Sequence, residues 1–111
     1  MERYDPDLWT DEFAFLSQPG QADIQTDLFY DYRTNAALYP EWQERLRTDQ
    51  SKTLIFWGQG DIFFTPEGGE AYLRDLPDAK MVRLNSGHFA VEDCLDEIVT
   101  GIRDFYDTNV K

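Results

Sequence analysis

Two short apolar runs in the second half of the chain restrict its fold more than any other feature. Residues 53–57 (TLIFW) and 80–84 (KMVRL) are β-prone, and the first lacks alternation, which is typical of a strand covered on both faces. Between them, Thr65 and Pro66 form a helix start, and a last helical pattern follows the second run. This order of strand, helix, strand and helix, with short loops, predicts an α/β fold in which a right-handed crossover joins two parallel strands.

The first half of the chain is predicted to be helical. Apolar and aromatic residues at helical spacing indicate one helix that starts at Asp5-Pro6 and another over residues 22–38. Pro40 is expected to end or restart the second helix, with a short helix over residues 41–46. The helix at the end of the chain is expected to bury a face made of Val91, Leu95, Ile98, Ile102 and Phe105.

Composition excludes several classes of protein. With 22 acidic and 10 basic residues the net charge is −12, so we expect neither a nucleic-acid partner nor a membrane partner. Cys94 is the one cysteine, which excludes an internal disulfide and the metal sites that need two or more cysteines, and we expect it in the core of the last helix. The sequence has no apolar run of signal-peptide or membrane-span type, and the expected location is the cytoplasm.

One acidic residue and the only histidine follow the two predicted strands. Asp61 comes after "WGQG" and His88 after "NSG". Since the carboxyl ends of parallel strands lie at one edge of a sheet, the two loops are predicted to be neighbours. A carboxylate that holds one ring nitrogen of a histidine leaves the other nitrogen free to act as a general base. Each residue alone is more often a turn or structural residue than a catalytic one, and their joint placement makes the catalytic and the structural interpretation about equal.

These segments resemble a known family. "WGQGD" and "NSGHFAVED" are similar to the acid-bearing and histidine loops at the C-terminal end of an α/β-hydrolase. Residues 8–47 resemble the helical cap of the branch that includes epoxide hydrolases and haloalkane dehalogenases. The resemblance implies a helical cap-like segment over residues 1–50 and a partial α/β-hydrolase core over residues 51–111. Ile62 is a small departure, because close relatives often carry proline after the acid.

The resemblance also implies roles for individual residues. Asp61 would be the acid and His88 the base of a catalytic triad. The substrate-binding residues would be Tyr30, Tyr32, Tyr39 and Phe89. No metal and no organic cofactor are implied, and the substrate would be a small molecule with an ester, epoxide or carbon–halogen bond.

The nucleophile of such a triad has no counterpart in the sequence. Neither G-x-S-x-G nor its aspartate equivalent is present, and Ser17, Ser51 and Ser86 lie outside that context. Three interpretations stay open. The chain is a hydrolase half that works with a partner or assembly supplying the nucleophile, a non-catalytic small-molecule-binding module, or an inactive truncated hydrolase. Because two parallel strands leave edges unpaired, we expect a homo-oligomer or a partner chain that completes the sheet.

Overall fold

The computed structural model describes residues 4–110, which divide into two compact units, one up to Glu41 and the other from Trp42 onward. The mixture of helices with a parallel two-stranded sheet is an α/β arrangement. The elements are α1 (Asp7–Leu16), α2 (Gln21–Asp49), β1 (Leu54–Gly58), α3 (Pro66–Asp75), β2 (Lys80–Leu84), α4 (Ala90–Asp93) and α5 (Leu95–Asn109). The predicted boundary between a segment over residues 1–50 and one over residues 51–111 stays a prediction.

Helix α1 begins close to the predicted position. Oδ1 of Asp5 accepts a hydrogen bond of 3.0 Å from the backbone N–H of Asp7, one of the donors that a helix start leaves without a partner. The helix ends at Leu16, and the turn that follows contains Gly20 at φ 84°. A side chain at this left-handed position would be strained, so the glycine permits the turn between α1 and α2.

Helix α2 corrects the expectation for Pro40. The helix is continuous from Gln21 to Asp49 with Pro40 inside it, so the helix neither ends there nor restarts as a short separate segment. Proline lacks one backbone donor, but the residues on both sides of Pro40 belong to the helix and keep their own hydrogen bonds. The loss of one bond therefore does not stop a helix of 29 residues.

The second unit contains the predicted parallel pair. Strand β1 pairs with β2 in parallel, with Leu54 opposite Lys80 and Gly58 opposite Leu84. Helix α3 lies between them in the chain and starts with Pro66 at its first position after Thr65, as the sequence predicts. Both strands therefore end at the same edge of the sheet, and the loops after Gly58 and Leu84 start there.

The core of the described chain is small. Among residues 4–110 the buried apolar side chains are Leu76, Leu84 and Ile98. Strand β1 is only partly covered, which differs from the expectation of a strand covered on both faces, because few described side chains lie against it. Many large apolar side chains of the helices are exposed, and those of the first unit include Phe13, Phe15 and Phe29.

The last helix differs from its sequence-based description. It is split at Cys94, whose φ of −131° and ψ of 34° are not helical, so this cysteine is half-exposed at a break and not inside a helix core. Of the predicted buried face, Ile98 is buried and Phe105 is half-buried. The other three side chains of that face are exposed, because no described element covers them: Val91, Leu95 and Ile102. Within residues 4–110, no helix combines the length and the apolar character that crossing a membrane requires.

Candidate catalytic site

The two loops at the carboxyl end of the sheet are joined by backbone hydrogen bonds. The N–H of Gln59 donates to the carbonyl of Leu84 over 3.0 Å, and the N–H of Gly60 donates to the carbonyl of Ser86 over 2.9 Å. The approach is so close that a Cβ on Gly58 would overlap the carbonyl oxygen of Gly87 and lie 2.8 Å from that of Ser86. Glycine at position 58 thus allows the acid-bearing loop to rest on the histidine loop.

Asp61 is fixed at both carboxylate oxygens. Its Oδ1 accepts hydrogen bonds from the backbone N–H groups of Phe63 (2.8 Å) and Phe64 (2.9 Å), which makes a local turn around the aspartate. Its Oδ2 lies 3.0 Å from Nδ1 of His88. The side chain of Asp61 is only 9% exposed, so it has little freedom to turn away from the histidine.

The environment of Asp61 favours its ionised form. Partial desolvation acts to raise the pKa of Asp61, but hydrogen bonds from the Phe64 N–H, the His88 ring and the Phe63 N–H outweigh that effect. The pKa of this carboxyl therefore lies below its ordinary value. At neutral pH Asp61 is a carboxylate, which is the form that can accept a proton-bearing nitrogen of His88.

The two nitrogens of His88 have different surroundings. Because Asp61 is ionised, Nδ1 carries the hydrogen of the 3.0 Å bond and donates it to Oδ2. Within residues 4–110, no protein group is hydrogen-bonded to Nε2. The side chain is 39% exposed, so Nε2 can accept a proton from a group that approaches from outside. The predicted proximity of the two side chains is observed, and their catalytic role stays a prediction.

Three phenylalanines surround the imidazole of His88. The ring of Phe64 stacks on it at a centroid distance of 5.4 Å, and the rings of Phe63 and Phe89 meet it edge-on at 5.3 and 5.6 Å. All three phenylalanines are exposed. Sequence reasoning singled out Phe89 and missed Phe63 and Phe64, although both follow Asp61 at the spacing at which an aspartate caps the next backbone N–H groups.

A shallow cleft opens beside this pair of residues. Its volume is about 210 Å³, and its wall carries apolar side chains next to the acid and the base. The lining residues are Phe56, Trp57, Gly58, Asp61, Phe64, Gly87, His88 and Ala90. All belong to the second unit, so this unit by itself presents a concave surface at which a small apolar group can lie beside the side chain of His88.

The histidine loop has its own internal support. Oγ of Ser86 donates a hydrogen bond of 2.7 Å to Oδ2 of Asp93 in α4, and the serine is only 8% exposed. Ser86 therefore ties the loop before His88 to the helix after it. The hydroxyl hydrogen of Ser86 is thus directed toward Asp93.

The remaining predicted site residues lie in the first unit. Tyr30, Tyr32 and Tyr39 are all on α2, and the hydroxyls of Tyr32 and Tyr39 are 3.0 Å apart. Arg33 covers the ring of Tyr30 at 3.5 Å from its centroid. Their place in a substrate pocket stays a prediction. Across the described part of the chain, no group of three or more histidine, cysteine, aspartate or glutamate side chains is arranged to hold a metal ion.

Comparison with known proteins gives one informative similarity. No protein-family model matches the chain, and no solved structure matches it. The chain is 41% identical over 92 residues to a protein of Saccharomyces cerevisiae that is named an uncharacterized hydrolase. The similarity covers 83% of this chain and 32% of the yeast protein, so the chain spans about a third of the length of the relative that it matches.

Proposed function

We propose that this chain is a hydrolase-like protein of α/β-hydrolase type, in which Asp61 and His88 supply the acid and the base of a catalytic triad. The observation that carries the proposal is the 3.0 Å bond between Nδ1 of His88 and Oδ2 of Asp61, at the edge where two parallel strands end. The yeast relative that is named a hydrolase supports the same reaction class. The partial α/β-hydrolase core and the cap-like first segment belong to this proposal.

In the proposed reaction, His88 moves a proton. Nε2 takes the proton of an attacking hydroxyl group or water as its oxygen bonds to the electrophilic carbon of the substrate and the bond from that carbon to the leaving group breaks. The proton passes to a leaving alkoxide or to the regenerated nucleophile, or to solvent where a halide leaves as the anion. The carboxylate of Asp61 holds the imidazole in the required tautomer and stabilises the imidazolium that forms. The bond cleaved is an ester, an epoxide or a carbon–halogen bond.

The nucleophile in this proposal comes from outside the 111 residues. The sequence has no nucleophile motif, and Ser86, the serine nearest to His88 in the chain, is hydrogen-bonded to Asp93. A further segment or a second polypeptide would bring the nucleophile to the open side of His88. The same addition would pair the free edges of the two-stranded sheet and cover the exposed phenylalanines, which favours a partner chain or a homo-oligomer.

A second candidate function is binding without catalysis. The open cleft lined by Trp57 and Phe64 favours it, because a small apolar ligand can fill such a cleft with no nucleophile present. A ligand of this kind would raise the unfolding temperature of the chain by an amount that grows with the logarithm of ligand concentration above the dissociation constant, with no turnover. An inactive truncated hydrolase would show neither ligand stabilisation nor hydrolysis.

A chimeric enzyme tests the proposed function. The stretch of the yeast relative that aligns with this chain is replaced by the matching 92 residues, so that the rest of the yeast protein supplies any nucleophile. Turnover is measured on a chromogenic ester, epoxide or haloalkane that the yeast protein itself hydrolyses. We expect the chimera to be active, and His88→Gln and Asp61→Asn each to lower its turnover by about 100-fold or more.

Asp78→Asn is the matched control for Asp61→Asn. Asp78 is exposed and lies just before Lys80, at the opposite end of the strands from the candidate site, so its replacement should leave turnover unchanged. A folded chimera that keeps its turnover in the His88→Gln variant would show that His88 is not the base, and the proposal would fail.

A further inference from the structure

Trp57 connects β1 to the loop that carries Asp61. It is the second-last residue of β1, and its indole Nε1 donates a hydrogen bond of 2.9 Å to the backbone carbonyl of Phe64. This bond closes the loop of residues 58–63 by joining its far end back to the strand. The acid loop is thus held by a side chain as well as by its backbone hydrogen bonds to the histidine loop.

Helix α3 fixes the position of the indole. A Cβ on Gly69 would lie 2.6–2.9 Å from three ring carbons of Trp57, so the ring rests directly on the backbone of α3. The ring of Tyr72 lies one helical turn further on, at a centroid distance of 6.4 Å from that of Trp57. The contacts with α3 and the hydrogen bond to Phe64 together hold the indole in one orientation.

The contacts continue from Trp57 to the histidine. The Phe64 backbone is held at both of its polar groups, because its carbonyl accepts from Trp57 and its N–H donates to Oδ1 of Asp61 over 2.9 Å. The other oxygen of Asp61 then accepts from His88. Displacement of Phe64 would therefore move the carboxylate that selects the tautomer of His88.

We propose that Trp57 is a positioning residue for the Asp61–His88 pair, which it orients through the backbone of Phe64. The inference rests on the proposed function for any role of Trp57 in catalysis. The orientation of the Asp61–His88 pair, however, can be measured in the 111-residue chain by itself. The readout is the tautomer of the imidazole, measured only in variants whose spectra and urea unfolding show an intact fold, because unfolding by itself would return His88 to the Nε2–H form. His88 is the only histidine, so the imidazole nitrogen signals in a ¹⁵N-labelled chain belong to it alone.

The test compares two variants with matched controls in the whole chain. Trp57→Phe keeps a ring and removes the N–H, while Gly69→Ala keeps the N–H and pushes a methyl group into the ring. We expect each to lower the ratio of Nδ1–H to Nε2–H in His88 by about fivefold, the effect of losing one hydrogen bond. Trp9→Phe changes an exposed tryptophan of α1 and should leave the ratio unchanged.

Gly68→Ala is the control for Gly69→Ala. The added methyl group at position 68 would lie at an ordinary 3.7 Å from the indole, so the tautomer ratio should not move. If Trp57→Phe and Gly69→Ala leave the ratio as it is while Asp61→Asn changes it, the inference is overturned and the proposed function stands. If Asp61→Asn leaves the ratio unchanged as well, the pairing itself is wrong and both fail.

A measurement on the unmodified chain covers the case in which Trp57→Phe does not fold. Hydrogen exchange of the indole N–H groups compares Trp57 with the exposed Trp9. An exchange rate at least about tenfold slower for Trp57 supports the inference, since a hydrogen-bonded N–H must open before it exchanges. Equal rates would show that the bond to Phe64 is not maintained in solution and would overturn it.

Discussion

Nδ1 of His88 lies 3.0 Å from Oδ2 of Asp61, and the two residues are joined across the ends of paired parallel strands although 27 positions separate them in the chain. The backbone hydrogen bonds between the two loops fix this distance, and Gly58 permits them to approach. Because Asp61 is ionised and nearly buried, it orients the imidazole with Nδ1 toward the carboxylate, and among residues 4–110 no protein group is hydrogen-bonded to Nε2.

Replacement of Asp61 should change the response of the fold to acid. Because the pKa of Asp61 is lowered in the folded chain, its carboxylate contributes stability above the carboxyl range of the unfolded chain, and this stability is lost as the pH falls through the lowered pKa. We expect Asp61→Asn to be less stable than the wild type at pH 6, with the difference closing below about pH 4. Urea unfolding at a series of pH values measures this difference.

The exposed Asp78 provides the comparison for that experiment. Asp78→Asn should leave the free energy of unfolding at about pH 6 close to that of the wild type. A stability difference for Asp61→Asn that stays constant from pH 6 to pH 3 would contradict the linkage to its carboxylate.

Replacement of Gly58 should force the two loops apart. The methyl group of Gly58→Ala would overlap the carbonyl oxygen of Gly87, and backbone atoms on both sides leave little room for relief. We expect a loss of about 1–3 kcal/mol in the free energy of unfolding. Gly87→Ala in the facing loop is the matched control, because its Cβ would meet its nearest neighbour at an ordinary 3.7 Å. Equal losses in the two variants, measured by urea unfolding, would show that the close backbone approach at Gly58 is not the reason why Gly58→Ala is destabilised.

Removal of the Ser86 hydroxyl should weaken the support of the histidine loop. Ser86→Ala loses the 2.7 Å bond to Asp93, and the partner is a carboxylate in a part-buried position. The expected cost is about 1–2 kcal/mol in the free energy of unfolding, while Ser51→Ala at an exposed position should cost almost nothing. If thermal unfolding gives the same midpoint for both variants, the Ser86–Asp93 bond does not stabilise the loop.

The strands and the proximity of Asp61 to His88 could be predicted from the sequence because they depend on regular features. The bounds of β2 coincide with the predicted run, and β1 is shifted by one residue from its own. Parallel pairing then brings the loops after both strands to one edge, which is why the sequence alone associates Asp61 with His88.

Other features depend on local contacts that the spacing of apolar residues along the sequence does not predict. The continuity of α2 through Pro40 reflects the hydrogen bonds of its neighbours, and the break at Cys94 is a local backbone conformation inside an unbroken apolar pattern. The aromatic surroundings of His88 follow from the turn around Asp61, which directs Phe63 and Phe64 toward the imidazole. Side-chain directions in loops have no periodicity from which they could be predicted.

The exposed apolar surface leads to a prediction about association. Among residues 4–110 few apolar side chains are buried, whereas Phe29 is 80% and Phe13 is 73% exposed. A chain with such surfaces and two free strand edges should have a mass in solution above the 13.0 kDa of one copy, or should become better ordered when it binds a partner that completes the sheet. Light scattering coupled to gel filtration measures the mass, and a stable, well-ordered monomer at micromolar concentration would be the contrary result.

The tautomer of His88 tests the central claim most directly. Imidazole free in water favours the hydrogen on Nε2, whereas a carboxylate at Nδ1 places the hydrogen there and leaves Nε2 as the base. In a ¹⁵N-labelled chain at a pH where the ring is neutral, we predict mainly the Nδ1–H form, and a return toward Nε2–H in Asp61→Asn. A wild-type chain that shows mainly Nε2–H, unchanged in Asp61→Asn, would mean that Asp61 does not orient His88 and that the chain does not carry a working acid–base pair.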